Sequence, residues 1–123
     1  MGFVLKSAFF FRPSDKNYDL RSVLGNYIIL KGTECYAFFA HARTGSLLVK
    51  AGDIVQTGQQ IAEVGHSGNS TAPHLHFHLM DNQHLMKAKG LPCCFREYEI
   101  FLDNKWERIT NGIPGRYDRI RVV

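Results

Sequence analysis

Cysteine is scarce in this sequence of 123 residues, and its three copies do not form a scaffold. Cys35 lies in an apolar stretch, while Cys93 and Cys94 are adjacent. An odd count with a vicinal pair is not a disulfide framework, and no Cys-x-x-Cys spacing occurs. We expect Cys35 to be a small buried hydrophobe, and a metal or redox role for Cys93 and Cys94 stays open.

The sequence also lacks a long apolar run, which excludes a membrane-spanning helix. Its first residues are not a signal peptide, because Lys6 interrupts the apolar residues 2–5 and 8–11 and no small-residue cleavage site follows. These residues predict a buried strand that ends at Arg12 and Pro13. A domain rarely begins with such a segment, so we expect the chain to be cut from a longer one.

Excess charge is small as well. Fifteen Lys and Arg against eleven Asp and Glu give a net charge of +4. A mildly basic surface favours acidic polymers, including bacterial wall polymers and nucleic acid, but this excess is too small to choose a partner. We expect an ordinary solvated surface and no nucleic-acid partner.

Residues 65–80 carry the most informative pattern. They begin as a loop of Gly, Ser, Asn and Thr. After Pro73 the sequence alternates between histidine and apolar residues, which is the period of a strand. Because side chains two apart on a strand share a face, the pattern predicts a histidine face (His74, His76 and His78) and an apolar face (Leu75, Phe77 and Leu79).

The histidine face has two interpretations. It is either the polar outer side of a half-buried sheet or a metal site with an acid–base neighbour. Imidazole is the commonest metal ligand and titrates near neutral pH. Residues i and i+2 on a strand are about 7 Å apart, so one imidazole can ligate while the next moves protons to or from a bound water.

Four blocks of this sequence follow one another in the order found in a known family. Residues 70–77 read Ser-Thr-Ala-Pro-His-Leu-His-Phe, and residues 36–41 read Tyr-Ala-Phe-Phe-Ala-His. Residues 25–30 read Gly-Asn-Tyr-Ile-Ile-Leu, and a Val-Lys-Ala-Gly-Asp run opens residues 49–65. Together, over about residues 25–80, they resemble the lysostaphin-like zinc endopeptidases, which cut peptidoglycan cross-bridge peptides.

The resemblance implies a role for three histidines. His76 would be the zinc ligand, and His74 and His41 would flank the metal-bound water and the scissile carbonyl. Zinc is therefore the expected cofactor and peptidoglycan peptides are the expected substrate. The resemblance also implies a location in the cell envelope or outside the cell, although no signal peptide is present.

The sequence departs from the family at one element. The family's upstream His-x-x-x-Asp motif, which supplies two zinc ligands, is absent: no His precedes His41, and no His is followed four positions later by Asp. Zinc sites need three or four protein ligands, so the expected site is incomplete. The residues that could substitute are Asp15, Asp19, His66, His78 and His84, none of which stands in the matching position.

The expected fold is all-β, a mainly antiparallel sheet sandwich of the duplicated hybrid motif type, N-terminally truncated. Residues 1–123 would form one peptidase-like domain, with a core at 25–80 and a β extension at 81–123. Strands are predicted at 25–31, 35–41, 47–49, 60–64, 98–102, 106–109 and 119–122, with a short helical turn within 81–90. Related carrier domains share such patterns, but the biotinyl and lipoyl types need a lysine context that is missing.

Three functions remain open at this stage. The first is an incomplete or truncated zinc peptidase, whose isolated chain would bind zinc weakly and require the upstream motif to cut. The second is a catalytically inactive family member that binds cell-wall material or acts as a scaffold. The third is a phosphocarrier-like domain with His41 or His74 as acceptor, which does not explain the Pro-His-Leu-His-Phe strand.

Overall fold

The computed structural model describes residues 7–9, through their backbone, and residues 23–123. These residues form antiparallel sheets with almost no helix, which confirms the predicted all-β class. The eight strands in the described part are β1 Ser7–Phe9, β2 Asn26–Lys31, β3 Tyr36–Ala42, β4 His76–Met80, β5 Gly90–Leu91, β6 Phe95–Leu102, β7 Lys105–Gly112 and β8 Ile120–Arg121.

A five-stranded sheet in the order β1-β2-β3-β4-β5 carries the predicted core. β2 and β3 are rich in β-branched and aromatic residues, which suit a pleated, half-buried surface. They form the predicted hairpin, where the Gly32 N–H donates to the Cys35 carbonyl at 2.8 Å. β4 lies beside β3 although more than thirty residues separate them, so the histidine strand is placed by long-range pairing.

One face of this sheet packs a cluster of buried apolar side chains. Ile29 and Phe38 face each other across β2 and β3, and Met80 closes the cluster from β4. Each of these three is at most 1% exposed. Because side chains alternate along a strand, Met80 shares its face with His76 and His78, so the histidines lie along the edge of the core.

Two details of the predicted organisation are wrong. Residues 47–49 and 60–64 are not strands; they are held by single backbone bonds, such as that from the Leu48 N–H to the Ile61 carbonyl at 2.9 Å. Leu75 does not pack inward and is 50% exposed. It precedes β4, so no ladder fixes the side that it faces. The turn predicted within 81–90 is present, closed by Ala88 donating to the His84 carbonyl at 2.9 Å.

The chain divides into two compact units, Met1–Leu91 and Pro92–Val123. The assignment of residues 1–123 to one domain therefore stays a prediction, as does the truncation. The backbone of Ser7–Phe9 pairs with β2, but most of the buried strand predicted for residues 2–11 lies outside the described residues. No helix in the described part is long and apolar enough to cross a membrane.

The second unit is a three-stranded sheet in the order β7-β6-β8. Its hairpin turns at Asp103 and Asn104, with φ values of 48° and 62°. Positive φ at both central residues is the geometry that matches the twist of the flanking strands. All three predicted strands are present, and two are longer than predicted because the β6–β7 ladder continues to Gly112.

Removing a core side chain tests which face stabilises the first sheet. We expect Ile29→Ala to lower the free energy of unfolding by about 2–5 kcal/mol, since Ile29 is fully enclosed. Ile54→Ala is the matched control, because Ile54 is 72% exposed in the same unit. Urea unfolding followed by circular dichroism measures both, and equal losses would contradict the core assignment.

The buried thiol gives a second test. Burial, and to a smaller extent the Glu34 charge, raise the pKa of Cys35, so less of it is thiolate near neutral pH. We expect iodoacetamide to modify the exposed Cys94 while Cys35 reacts only after denaturation or at higher pH. Mass spectrometry of digested protein reports each site. Equal labelling rates in the native protein would refute the burial of Cys35.

Candidate functional site

The structure brings four histidines together in the first unit. The rings of His41 and His74 have centroids 4.7 Å apart, and that of His76 lies 6.1 Å from His41. His78 adjoins His76 at 5.3 Å. We call these four residues the histidine cluster. The three residues that the resemblance singled out, and the third histidine of the predicted face, are thus neighbours in space.

His41 reaches the cluster through a bulge in β3. Asn26 pairs with Ala42 and Ile28 with Phe39, so two residues of β3 oppose one of β2. His41 has a φ of 64°, a left-handed backbone that few non-glycine residues adopt. Simple alternation would place His41 on the opposite face from Ala40, but a bulge re-aims the side chain. The bulge therefore explains how His41 comes to lie beside His74.

The loop that contains Ser67 holds His41 in place. The Ser67 hydroxyl accepts the Asn26 N–H at 3.0 Å and donates to the Ala42 carbonyl at 2.7 Å, tying the start of β2 to the end of β3. The Ser67 carbonyl lies 2.8 Å from Nδ1 of His41. This fit needs glycine at Gly25 and Gly68, because a Cβ on Gly68 would lie 2.3 Å from the Gly25 nitrogen.

These contacts define the proton position on His41. A carbonyl oxygen only accepts, so Nδ1 of His41 must carry the proton and Nε2 of the neutral ring keeps its lone pair. His41 is 6% exposed, and its ring is therefore held by burial as well as by the hydrogen bond to Ser67.

His74 is oriented in the same way by its own loop. Its Nδ1 donates to the Ala72 carbonyl at 2.7 Å, with the Ser70 hydroxyl also 3.2 Å away. The Ser70 hydroxyl donates its proton to the Ala72 carbonyl at 2.7 Å and lies 3.0 Å from Nδ1 of His66. Nε2 of neutral His74 is thus unprotonated as well. His74 is not in β4 as predicted; it forms an isolated bridge with Gly65.

His76 and His78 form a second pair on β4. Nε2 of His76 lies 3.1 Å from Nδ1 of His78. Burial lowers the pKa of both, and the neighbouring imidazoles, His78 first, lower that of His76 further. Both rings also contact the buried Phe38, at 5.7 and 4.9 Å between centroids. The lowered pKa values favour the neutral form of both rings, and both rings pack against one buried aromatic side chain.

The zinc expected from the resemblance can be tested against these donors. His76 and His78 offer two neutral imidazole nitrogens, the donor type that zinc takes. Across residues 23–123, no group of three or more His, Cys, Asp or Glu is placed to hold a metal ion. The described residues thus fit two positions of a zinc site and supply no third.

Several residues expected or overlooked at the sequence level can now be placed. Asp15 and Asp19, two of the suggested substitutes, lie outside the described residues. His66 contacts Ser70 rather than the cluster. Sequence reasoning missed Ser67 and Phe38. The Gly-Ser-rich loop was the only signal for Ser67, whose hydrogen-bond partners lie 25 and 41 residues away.

Comparison with known proteins adds independent findings. The sequence profile of peptidase family M23 matches residues 14–88. A peptidoglycan DD-endopeptidase, ShyB of Vibrio cholerae, is 38% identical over 56 residues, which cover 46% of this chain and 13% of that protein. An uncharacterized metalloprotease of Haemophilus influenzae is 43% identical over 54 residues, covering 43% and 11%. No solved structure matches significantly.

A pair of glycines tests the packing of the loop behind His41. Gly68 and Gly45 have φ values of 73° and 79°, but only Gly68 is crowded; an added Cβ at Gly45 meets nothing within 4 Å. Both alanine variants incur the left-handed backbone cost of about 1–2 kcal/mol. We expect Gly68→Ala to lose about 1–3 kcal/mol more through overpacking. Equal losses in urea unfolding would show that the loop does not pack as described.

Proposed function

The chain belongs to peptidase family M23, and on that premise we propose that the histidine cluster is the proton-handling centre of a metal-dependent peptidase acting on peptidoglycan cross-links. The chain spans only 13% and 11% of the lengths of the two relatives. The reaction and substrate are therefore proposals for this chain.

The observation that supports the proposal most strongly is the matched orientation of His41 and His74. Each donates its Nδ1 proton to a backbone carbonyl, of Ser67 and Ala72 respectively. Each therefore keeps Nε2 as the free basic nitrogen, and the two rings are 4.7 Å apart. A general base must be in the correct tautomer and held still. The Ser67 carbonyl meets this requirement for His41, and the Ala72 carbonyl meets it for His74.

The chemistry follows from these two bases. Zinc, when bound, would supply a Lewis acid that polarises the scissile carbonyl. His41 or His74 would accept a proton from the attacking water at Nε2, and the imidazolium would return it to the leaving amine as the C–N bond breaks. The other ring would donate a hydrogen bond to the developing oxyanion when it is protonated. His76 would be the metal ligand.

Substrate and location are inferred from the relatives. One relative is named a peptidoglycan DD-endopeptidase and another a metalloprotease. By analogy the substrate of this chain would be a peptide cross-link of the bacterial wall, which implies a location in the cell envelope or outside the cell.

Substitution of the proposed base tests the function. With zinc in excess, we expect a longer protein that adds the upstream His-x-x-x-Asp motif to this chain to convert cross-linked peptidoglycan fragments to monomers, and His74→Ala in that protein to slow the reaction by about 10²–10⁴-fold. His84→Ala, which removes an imidazole outside the cluster, should retain the rate. Chromatography with mass spectrometry measures the products. An equal rate in His74→Ala would contradict the proposed role of His74.

A second candidate function is favoured by one observation. Residues 23–123 lack a three-ligand group, as a catalytically inactive member that binds or scaffolds cell-wall material would. In that case the chain would sediment with purified cell walls in the presence of a chelator and release no peptides with zinc. Release of monomers by the wild-type chain would eliminate this candidate.

A further inference from the structure

The three-stranded sheet of the second unit presents a pair of aromatic rings that the proposed function does not use. Tyr98 and Ile100 of β6 are each 7% exposed and share one face of the sheet. Phe101 therefore lies on the opposite face, where Trp106 of β7 is its direct cross-strand partner. The centroids of the two rings are 5.1 Å apart, and both side chains are half-buried. We call this side of the sheet the aromatic face.

Arg119 lies over both rings of the aromatic face. The Phe101 N–H donates to the Arg119 carbonyl at 2.9 Å, which sets the two residues side by side. The Arg119 guanidinium carbon is 5.3 Å from the Phe101 centroid and 5.8 Å from the Trp106 centroid, within the range of cation–π attraction. Contact with two rings restricts this long side chain, so less conformational freedom is lost when a ligand binds.

The charges on the aromatic face leave Arg119 without a counterion. Glu97 pairs with Arg108 at 3.0 Å, and Glu99 pairs with Arg121. Arg119 forms no ion pair within the part of the chain that the structure describes. Both carboxylates of β6 on this face are therefore already neutralised, and one guanidinium remains to attract an anion.

A single unpaired guanidinium fits one small anionic group better than an anionic polymer. Polymers such as nucleic acid are bound through many Lys and Arg contacts, whereas residues 92–123 carry six Lys or Arg against five Asp or Glu. A carboxylate matches the planar guanidinium, because two N–H groups can bind its two oxygens in parallel. The neighbouring rings of Phe101 and Trp106 add apolar contact area for a ligand bound there.

We propose that Arg119, held over Phe101 and Trp106, binds the terminal carboxylate of a peptidoglycan peptide. The identity of the peptide rests on the proposed function, whereas the preference for a carboxylate rests on the aromatic face alone. This contact belongs to binding and takes no part in bond cleavage. It gives the second unit a role in holding the chain on its substrate.

The experiment uses Trp106 as the reporter. It is the single tryptophan of the chain, so its indole N–H gives one NMR resonance that belongs to the aromatic face. The probe is N-acetyl-D-alanyl-D-alanine, titrated into the full chain with a metal chelator present, and the matched probe is its C-terminal amide. We expect the acid to shift this resonance saturably and the amide to bind roughly tenfold more weakly, because it lacks the charge-assisted hydrogen bonds.

A pair of arginine variants tests the residue. We expect Arg119→Gln to weaken binding of the acid by roughly tenfold. Arg116→Gln is the matched control, because it removes the same charge from the turn before β8, where the guanidinium lies over Tyr117. Binding by Arg116→Gln should equal that of the wild-type chain.

Equal binding of acid and amide by the wild-type chain would overturn the proposal, and that comparison needs no variant to fold. Equal binding of the acid by a folded Arg119→Gln would overturn it too, as would tighter binding of a single-stranded oligonucleotide than of the acid. Binding of the acid that depends on Arg119 without any peptidase activity would uphold this inference while the proposed function fails. Cleavage without such binding would do the reverse.

Discussion

The hydrogen bond between His41 and the Ser67 carbonyl is the contact on which the site depends. It requires three things at once: a bulge that turns His41 toward the cluster, a left-handed backbone at that residue, and a loop that approaches β2 and β3 very closely. Gly25 and Gly68 permit that approach because neither carries a Cβ. A residue with positive φ is retained where the surrounding structure determines it, and here the Ser67 hydroxyl fixes both strands.

The cluster divides into two pairs with different chemistry. His41 and His74 direct their Nδ1 protons to backbone carbonyls and keep a basic nitrogen free. His76 and His78 instead direct nitrogens toward each other over Phe38. The first arrangement suits proton transfer, and the second packs two imidazoles against one buried aromatic ring. His41, His76 and His78 lie on the paired strands β3 and β4, whereas His74 lies just before β4 and is oriented by its loop.

Local patterns in the sequence predicted much of this, and tertiary packing decided the rest. Alternation placed His76 and His78 on one face, and β-branched and aromatic runs located β2 and β3. Alternation alone would place His41 on the opposite face from the rest of the cluster. The bulge in β3 that re-aims it depends on pairing with β2. Residues 47–49 are apolar without alternation and make isolated contacts instead of a ladder. Ser67 could not be singled out, since its partners are distant in sequence.

The central claim is that two loops present unprotonated Nε2 atoms on His41 and His74. Long-range proton–nitrogen NMR of the imidazoles tests it most directly, because it distinguishes the two neutral tautomers. The account predicts that both rings carry their proton on Nδ1 in the neutral form, and that Ser67→Ala weakens this preference at His41 by loosening the loop. A proton on Nε2 of either ring would contradict the account.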